Sequence, residues 1–295
     1  MTRLIAHGAV FLLLTGSFSA LSAVPSAAQQ PQCEAANTLT RQNNRMIWQV
    51  PAFSGPVKSV RSESVPDPAS PRSEKISSKA DFSPCGEMTH FETRKRDMTG
   101  RMIVTSTLSG SETRNIDSYV FRVYRHLPGK KARFPMTVST AFTKDAQQQV
   151  TGGKGKMYIE GNETAINGTV QIQRKDGKLT MFTLTWPDIY LTLSYKVGYD
   201  DAGRVSSLTS AQPDGSGESV TYYTYTPEGY PATKEVTNNK TPSGVRTLTM
   251  CLSRDHHGNC VQERIVRMPS EKNKKNAVPE QYEMTIVNNI IEYYQ

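Results

Sequence analysis

Three short stretches in the C-terminal third of the chain share one turn signature: YDDAGR at residues 199–204, YTPEGY at 225–230 and RDHHGN at 254–259. In each copy an Asp or Thr stands three positions before a glycine. The oxygen of such a side chain accepts backbone N–H bonds, and glycine tolerates the left-handed conformation that closes the turn. The signature therefore predicts successive β-hairpins, each reversed by an Asx-type turn with a glycine bulge.

The same pattern of strands and turns continues on the N-terminal side of these copies. From residue 90 onward, runs rich in β-branched and aromatic residues alternate with turn residues, and Asp176-Gly177 marks a tight hairpin. Residues 281–294 (QYEMTIVNNIIEYY) end the pattern as a closing strand, with a helix as the alternative. Many short strands at regular spacing are typical of an antiparallel meander. We predict an all-β fold whose successive hairpins form an open curved sheet, a sandwich or a barrel.

The units YDDAG at residues 199–203 and RDHHG at residues 254–258 resemble the YD repeat of Rhs and related wall-associated proteins. The resemblance extends over residues 190–267, with Thr226 in place of Asp in the middle copy and Arg254 in place of Tyr in the last. It implies hairpins that follow one another along a coiling β-sheet. It also implies an association with cell envelopes, carbohydrate and contact between cells.

The N-terminus has the three parts of a secretory signal. A basic start at Arg3 is followed by an apolar run over residues 4–14 and then by small residues that end at Ala28. This order is typical of a cleavable signal peptide, and the run is shorter than the roughly 20 apolar residues of a membrane-spanning helix. We predict that residues 1–28 are removed near Ala28 and that the mature protein is periplasmic or secreted. An uncleaved anchor or a buried helix is the alternative.

Residues 29–88 differ in composition from the segments on either side. Residues 51–84 are rich in Ser, Pro, Lys and Glu, and such a stretch buries too little apolar surface to offset its ordering entropy. We therefore predict an N-terminal arm over residues 29–88, with a short helix at 34–45 and a disordered Ser/Pro-rich linker. The β domain is predicted to occupy residues 89–295.

An even number of cysteines fits an oxidising compartment, and the chain has four, at Cys33, Cys85, Cys251 and Cys260. Cys251 and Cys260 lie on either side of the third turn, on strands expected to be adjacent. We predict the pair Cys251–Cys260, which leaves Cys33–Cys85. A register shift at the turn bulge would put the first two on opposite faces and favour another pairing.

Positive charge is concentrated in one window of the chain. The chain has 35 Lys and Arg against 27 Asp and Glu, and eight of the basic residues but only one acidic residue fall within residues 119–156. A local positive field attracts anionic partners. The predicted binding patch consists of Arg122, Arg125, Lys130, Lys131 and Arg133. The alternative is a solvated face that favours solubility.

Tyrosines are frequent in the repeat region, and three of them, Tyr199, Tyr223 and Tyr225, form a predicted aromatic binding face. Their rings can stack on sugar rings while the hydroxyls form hydrogen bonds. The alternative is that they are strand residues that pack across the sheet.

Motifs for catalysis, metal or cofactor binding are missing. The chain has no nucleophile elbow, Walker loop, dinucleotide fingerprint or zinc-protease motif. His256 and His257 lie between two cysteines, but without a CxxC spacing a zinc site is only the alternative to a disulfide. We predict no metal and no cofactor.

The expected function is a non-enzymatic binding protein of the bacterial cell envelope that recognises an anionic glycan or an acidic protein. Contact with a membrane surface is a further expectation, and nucleic acid is not an expected partner because no recognition motif is present. The alternatives are an accessory or immunity protein of a toxin or secretion system, and a hydrolase that acts on glycan or cell wall.

Overall fold

The computed structural model describes residues 37–66, 75–96, 102–110, 116–125, 133–162, 164–238, 245–269 and 283–295. The chain divides into a unit of Met1–Gln32 and a compact unit of Cys33–Gln295. The predicted signal segment, residues 1–28, lies outside the described residues.

The described residues of this unit form one helix and sixteen strands. The helix α1 spans Asn37–Trp48. The strands are β1 Val57–Pro66, β2 Lys75–Phe82, β3 Met88–Arg96, β4 Met102–Gly110, β5 Ile116–Arg125, β6 Arg133–Lys144, β7 Val150–Ile159, β8 Ile166–Lys175, β9 Lys178–Trp186, β10 Leu191–Tyr199, β11 Val205–Ala211, β12 Ser219–Tyr225, β13 Pro231–Asn238, β14 Val245–Arg254, β15 Cys260–Pro269 and β16 Glu283–Tyr293. A single 3-10 turn, Pro187–Ile189, lies between β9 and β10.

Every strand pairs antiparallel with the strand before it, and β16 pairs with β1 to close a barrel. The prediction of an all-β antiparallel meander is therefore confirmed, and of the predicted forms the barrel is the observed one. The closing pair runs from Val57 opposite Tyr293 to Pro66 opposite Thr285. The segment predicted as a closing strand, rather than a helix, is β16.

The prediction of a disordered Ser/Pro-rich linker within residues 29–88 is wrong. Val57–Pro66 and Lys75–Phe82 are barrel strands, so the β domain begins near residue 57 and not at 89. The polar composition of β1 did not indicate a strand because its inward positions Ser62 and Ser64 are polar. These two residues face the interior, since they alternate with the exposed Arg61 and Glu63. A barrel wall needs apolar residues only where its inner face is packed, so small polar residues are accepted elsewhere.

The two faces of the wall differ in polarity. In β8 the buried Ile166, Gly168 and Val170 alternate with the exposed Asn167 and Thr169. The same alternation puts three apolar clusters inside the barrel and mostly Ser, Thr, Lys and Arg outside on β2–β13. A membrane-spanning barrel has the reverse arrangement, with an apolar band facing lipid. The outer wall of these strands thus suits contact with water.

The outer face of β14–β16 is more apolar than the rest. Leu248, Val266 and Met284 lie side by side in one row, and Ile290 is 66% exposed.

No helix of the described chain is long and apolar enough to cross a membrane.

The helix α1 lies at one end of the barrel and is fixed there by two buried asparagines. The side chain of Asn43 accepts a hydrogen bond from the Leu179 amide at 3.0 Å and donates to the Gly177 carbonyl at 2.8 Å. Asn44 does the same with the Val150 amide and the Gln148 carbonyl, both at 3.0 Å. Each amide thus satisfies two backbone groups at the start of a strand, so α1 holds the β6–β7 and β8–β9 turns together.

The predicted turns are confirmed at the same end. In the first copy the Asp200 amide donates to the Arg204 carbonyl at 2.9 Å, and the Gly203 amide donates to the Asp200 carbonyl at 2.9 Å. The three turn glycines have φ values between +76° and +89°. Register shifts follow in the paired strands, as the glycine bulge requires.

At this end of the barrel, two further turns have the same hydrogen bonds and were missed in the sequence. They join β2 to β3 at residues 83–87 and β6 to β7 at residues 145–149. In the second of these, Gln148 takes the left-handed position at φ +61°, so no glycine marks the turn. Asp145 still accepts the amides of Gln147 and Gln149.

Candidate functional site

The outer surface of β2–β7 presents a row of polar residues around two arginines. Register places Ser77, Arg94, Thr105, Arg122 and Thr137 side by side on adjacent strands, and Tyr158 follows on β7. Adjacent strands lie about 4.8 Å apart, so Arg94 and Arg122 are separated by roughly 10 Å at the backbone. Both side chains therefore emerge from the same part of the wall.

Neighbouring rows add more positive charge to this surface. Lys75 lies opposite Arg96 in the row on one side, and Lys79 and Lys156 belong to the row on the other. We call this surface the outer basic face, and its cations are Lys75, Lys79, Arg94, Arg96, Arg122, Lys154 and Lys156.

Two carboxylates, Asp81 and Glu92, lie within the outer basic face. Asp81 accepts an ion pair from Lys79 at 2.8 Å. Six more cations remain against Glu92, so the face is strongly positive. The exposed Lys79–Asp81 pair contributes little to stability. The cations without a carboxylate partner in this face give an excess of positive charge, which is available to an anionic partner.

Of the five predicted patch residues, the structure places Arg122 in the outer basic face. Arg125 and Arg133 are opposite each other at the ends of β5 and β6, and their side chains are not among those described. Lys130 and Lys131 lie outside the described residues. Sequence reasoning missed Arg94 and Arg96, although alternation in the segment HFETRKR would have put both on one face of a strand.

The predicted aromatic residues lie inside the barrel near α1. The Tyr199 hydroxyl donates to the Leu179 carbonyl at 2.8 Å, and the Tyr225 hydroxyl donates to the Val205 carbonyl at 2.7 Å. Tyr223 packs against the interior apolar cluster, and its burial raises its pKa to about 12. The binding role of these three tyrosines stays a prediction.

Each turn tyrosine also carries a cation on its ring. The Lys178 ammonium lies 5.2 Å from the centre of the Tyr199 ring, and the Arg204 guanidinium lies 4.5 Å from that of Tyr225. Each cation belongs to the preceding turn at the same end of the barrel. The tyrosine thus joins consecutive turns through one hydrogen bond and one cation–π contact.

The third turn has the two residue types exchanged. Arg254 occupies the position of the tyrosine, and its guanidinium donates to the Pro231 carbonyl. Tyr230 occupies the position of the cation, with its ring centre 5.7 Å from Arg254. The Arg254 that departs from the YD pattern therefore preserves the link between turns.

The disulfide Cys251–Cys260 is confirmed, with Cα atoms 5.6 Å apart across β14 and β15. Cys85 is also disulfide-bonded, and Cys33, its predicted partner, lies outside the described residues. No group of three metal-ligating side chains occurs in the described part of the chain.

Beside that disulfide, the rings of His256, His257 and Tyr293 form a cluster, with centroids of the two histidines 4.0 Å apart and His257 4.4 Å from Tyr293. The Tyr293 hydroxyl donates to the Asp255 carboxylate. Burial opposes ionisation of Asp255, but the hydrogen bonds from Tyr293 and from the turn amides lower its pKa. The cluster fixes the third turn against β16.

Charged side chains also enter the interior between β3 and β13. Lys234 faces inward because it lies opposite Tyr223, which belongs to the interior cluster. Glu263 faces inward because it lies opposite the buried Val287. Burial and the charge of Lys95, which approaches from β3, lower the pKa of Lys234. Burial raises the pKa of Glu263.

No protein-family model matches this chain, and no curated protein matches it. Among solved structures, a porin-like protein from Bacteroides uniformis is similar over 81% of this chain and 98% of its own, at 10% identity and a TM-score of 0.41. The TcdB2–TccC3 complex is similar over 66% of this chain, at 10% identity and a TM-score of 0.23. The Photorhabdus luminescens Tc holotoxin pore is similar over 67%, with the same identity and TM-score. In both toxin structures this chain spans 14% of the matched chain.

Proposed function

We propose that this protein is a non-enzymatic binding protein of the bacterial cell envelope, and that the outer basic face holds an anionic glycan. The observation that carries the proposal is the row that aligns Arg94 and Arg122, with further cations in the rows on either side. Cations distributed over several adjacent strands fit an extended polyanion better than a compact ligand. An acidic protein is the second partner that this chemistry admits.

The polarity of the wall supports an accessible binding surface. Arg94 and Arg96 are exposed, and the neighbouring outward positions Thr105 and Thr137 are polar. Such a surface stays hydrated and is open to a soluble or wall-bound polymer. The predicted signal peptide would deliver the protein to the compartment that contains such polymers.

The interior carboxylates favour binding over hydrolysis. The Glu283 carboxylate lies 3.5 Å from Arg267. Glu263 lies four residues before Arg267 on β15 and interacts with the positive charge of Lys234. A glycosidase needs two carboxylates that flank one bond. Here Glu283 is paired with Arg267 instead, and the positive charge of Lys234 acts on Glu263.

Retention of the exported protein by envelope fractions tests the proposal. We expect the protein to sediment with an envelope fraction at low salt and to be released at high salt, because ionic contacts with exposed groups are screened. Treatment of the fraction with protease separates the two partners: a glycan keeps its retention after proteolysis, whereas an acidic protein does not.

The matched variants are the double substitution Arg94→Gln with Arg122→Gln, and Lys196→Gln as control. Lys196 is exposed on β10, outside the outer basic face. The double variant should lose most of the retention and the control should keep it. Equal retention of the original protein, the double variant and the Lys196→Gln control at low salt would contradict the proposal.

A further inference from the structure

We propose that a cavity between α1 and the barrel wall binds the carboxylate group of a small organic acid, with Arg45 as its main contact. The cavity lies between α1, the β2–β3 turn and the β6–β7 turn. It is separate from the outer basic face, because a different set of cations lines it.

One face of α1 forms one wall of the cavity. Arg41, Arg45 and Trp48 are spaced by four and three residues, so they share a face of the helix. All three line the cavity. On the barrel side it is lined by Phe82 and Ile116, which are 7% and 1% exposed. The cavity therefore combines apolar walls with cations from the helix.

The charge of the cavity is positive. Its lining contains three cations and one carboxylate: Arg41, Arg45, Lys144 and Glu87. Burial lowers the pKa of Lys144, and the opposite charges of Asp117 and Glu87 act against that shift. Lys144 is thus already compensated by carboxylates. The excess of positive charge lies at the two arginines.

The two arginines differ in their partners. The Arg41 guanidinium donates to the Cys85 carbonyl and, at 3.1 Å, to the Thr38 hydroxyl. The Arg45 guanidinium has no hydrogen bond and no ion pair with any residue that the structure describes. A guanidinium carries five N–H donors in a planar fork that matches the two oxygens of a carboxylate. Arg45 is therefore the cation that is open to a ligand.

The surroundings of Arg45 make its charge costly. Burial first, and the charge of Arg41 second, lower its pKa to about 10. The group is still protonated at neutral pH. A carboxylate bound to Arg45 would compensate for both effects, because an opposite charge with hydrogen bonds favours the charged form.

The size of the cavity limits the ligand. Its volume is about 30 Å³, which is room for about two water molecules and therefore for a group of acetate size. Trp48 has a buried indole N–H without an acceptor among the described residues. A carboxylate oxygen is an acceptor for such a donor. The ligand class is thus a small carboxylate, and Trp48 is its second contact.

A ligand-detected NMR titration at neutral pH and low, constant ionic strength tests the site. The probe is acetate, and acetamide, which has the same shape without the charge, is its control. Inorganic phosphate tests the head group. We expect acetate to bind, acetamide not to bind, and phosphate to bind more weakly than acetate because it is larger.

Four variants locate the binding. Arg45→Gln should weaken acetate at least about tenfold, since hydrogen bonds from a charged group are lost. Arg45→Lys keeps the charge without the fork and should have an intermediate affinity. Trp48→Phe removes one donor and should weaken acetate by a smaller factor than Arg45→Gln. Lys196→Gln, on the outer wall, should not change the affinity.

Thermal denaturation separates loss of binding from loss of folding. Without acetate, Arg45→Gln should unfold at the temperature of the original protein or above it, because this guanidinium has no partner among the described residues. Acetate should raise the midpoint of the original protein, since a ligand that binds the folded state stabilises it. It should raise that of Arg45→Gln less.

Absence of acetate binding, or an unchanged affinity in Arg45→Gln, would contradict the proposal. Equal binding of acetamide, or tighter binding of phosphate, would contradict the carboxylate as ligand. The double variant Arg94→Gln with Arg122→Gln should keep the acetate affinity. Failure of this site is therefore distinguishable from failure of the outer basic face.

Discussion

Tyr230 and Arg254 exchange the positions that a cation and a tyrosine hold in the other turns. The Arg254 guanidinium donates to the Pro231 carbonyl, the bond that a tyrosine hydroxyl makes elsewhere. It also donates to the Gly258 carbonyl within its own turn, at 2.8 Å. A degenerate copy of the repeat thus keeps the contact between turns that defines this end of the barrel.

The hydroxyl of a turn tyrosine contributes stability separately from its ring. We expect Tyr225→Phe to lower the free energy of unfolding by about 1 kcal/mol, because the Val205 carbonyl loses its partner while the ring stays against Arg204. Urea denaturation measures the change. Tyr222→Phe is the control, since that outward ring is 50% exposed. An equal loss in both variants would contradict the hydrogen bond's role.

The turn glycines differ in what a methyl group would meet. A Cβ at Gly258 would overlap the Tyr230 ring, whereas a Cβ at Gly203 would lie 2.9 Å from the flexible end of Lys178. Both positions have positive φ, which costs roughly 1–3 kcal/mol for another residue. We expect Gly258→Ala to destabilise more than Gly203→Ala by about 1–3 kcal/mol, the cost of overpacking. Thermal denaturation of the two variants decides the order, and the reverse order would contradict the packing.

The anchor of α1 depends on Asn43, whose side chain is fully buried. Asn43→Ala leaves the Leu179 amide and the Gly177 carbonyl without their partner, and we expect a loss of about 2–4 kcal/mol. Amide hydrogen exchange over α1 should accelerate as well. Gln42→Ala, on the same helix, is the control and should leave the exchange unchanged.

Stability at alkaline pH depends on Tyr223. Its folded pKa is about 12, above the ordinary value of 10, so its contribution is complete below pH 10 and is lost as the pH rises towards 12. We expect Tyr223→Phe to unfold at a higher pH than the original protein. A fluorescence titration between pH 9 and 12 follows this transition, and identical curves for the two proteins would contradict the burial of the hydroxyl.

The sequence predicts the hairpins because each turn carries its own local signal. Asp200 and Gly203 specify the reversal through bonds within five residues, so no distant contact is needed. The same holds for the disulfide Cys251–Cys260, whose strands are joined by such a turn. Local signals do not predict the closure of the barrel, because β1 and β16 pair although they lie at nearly opposite ends of the sequence.

The candidate sites were only partly predictable for the same reason. Arg122 belongs to a basic window of sequence, but its neighbour Arg94 lies on another strand and is brought near it by register alone. A polar residue on a strand does not reveal by itself whether it faces water or a barrel interior.

The affinity of the protein for polygalacturonate, as a function of salt concentration, tests the central claim most directly. We predict that binding weakens steeply with salt. The double variant Arg94→Gln with Arg122→Gln should bind less tightly, and its plot of log affinity against log salt should be shallower by about two, one for each ionic contact removed. Affinity that does not depend on salt, or a slope that is the same in the double variant, would contradict the account.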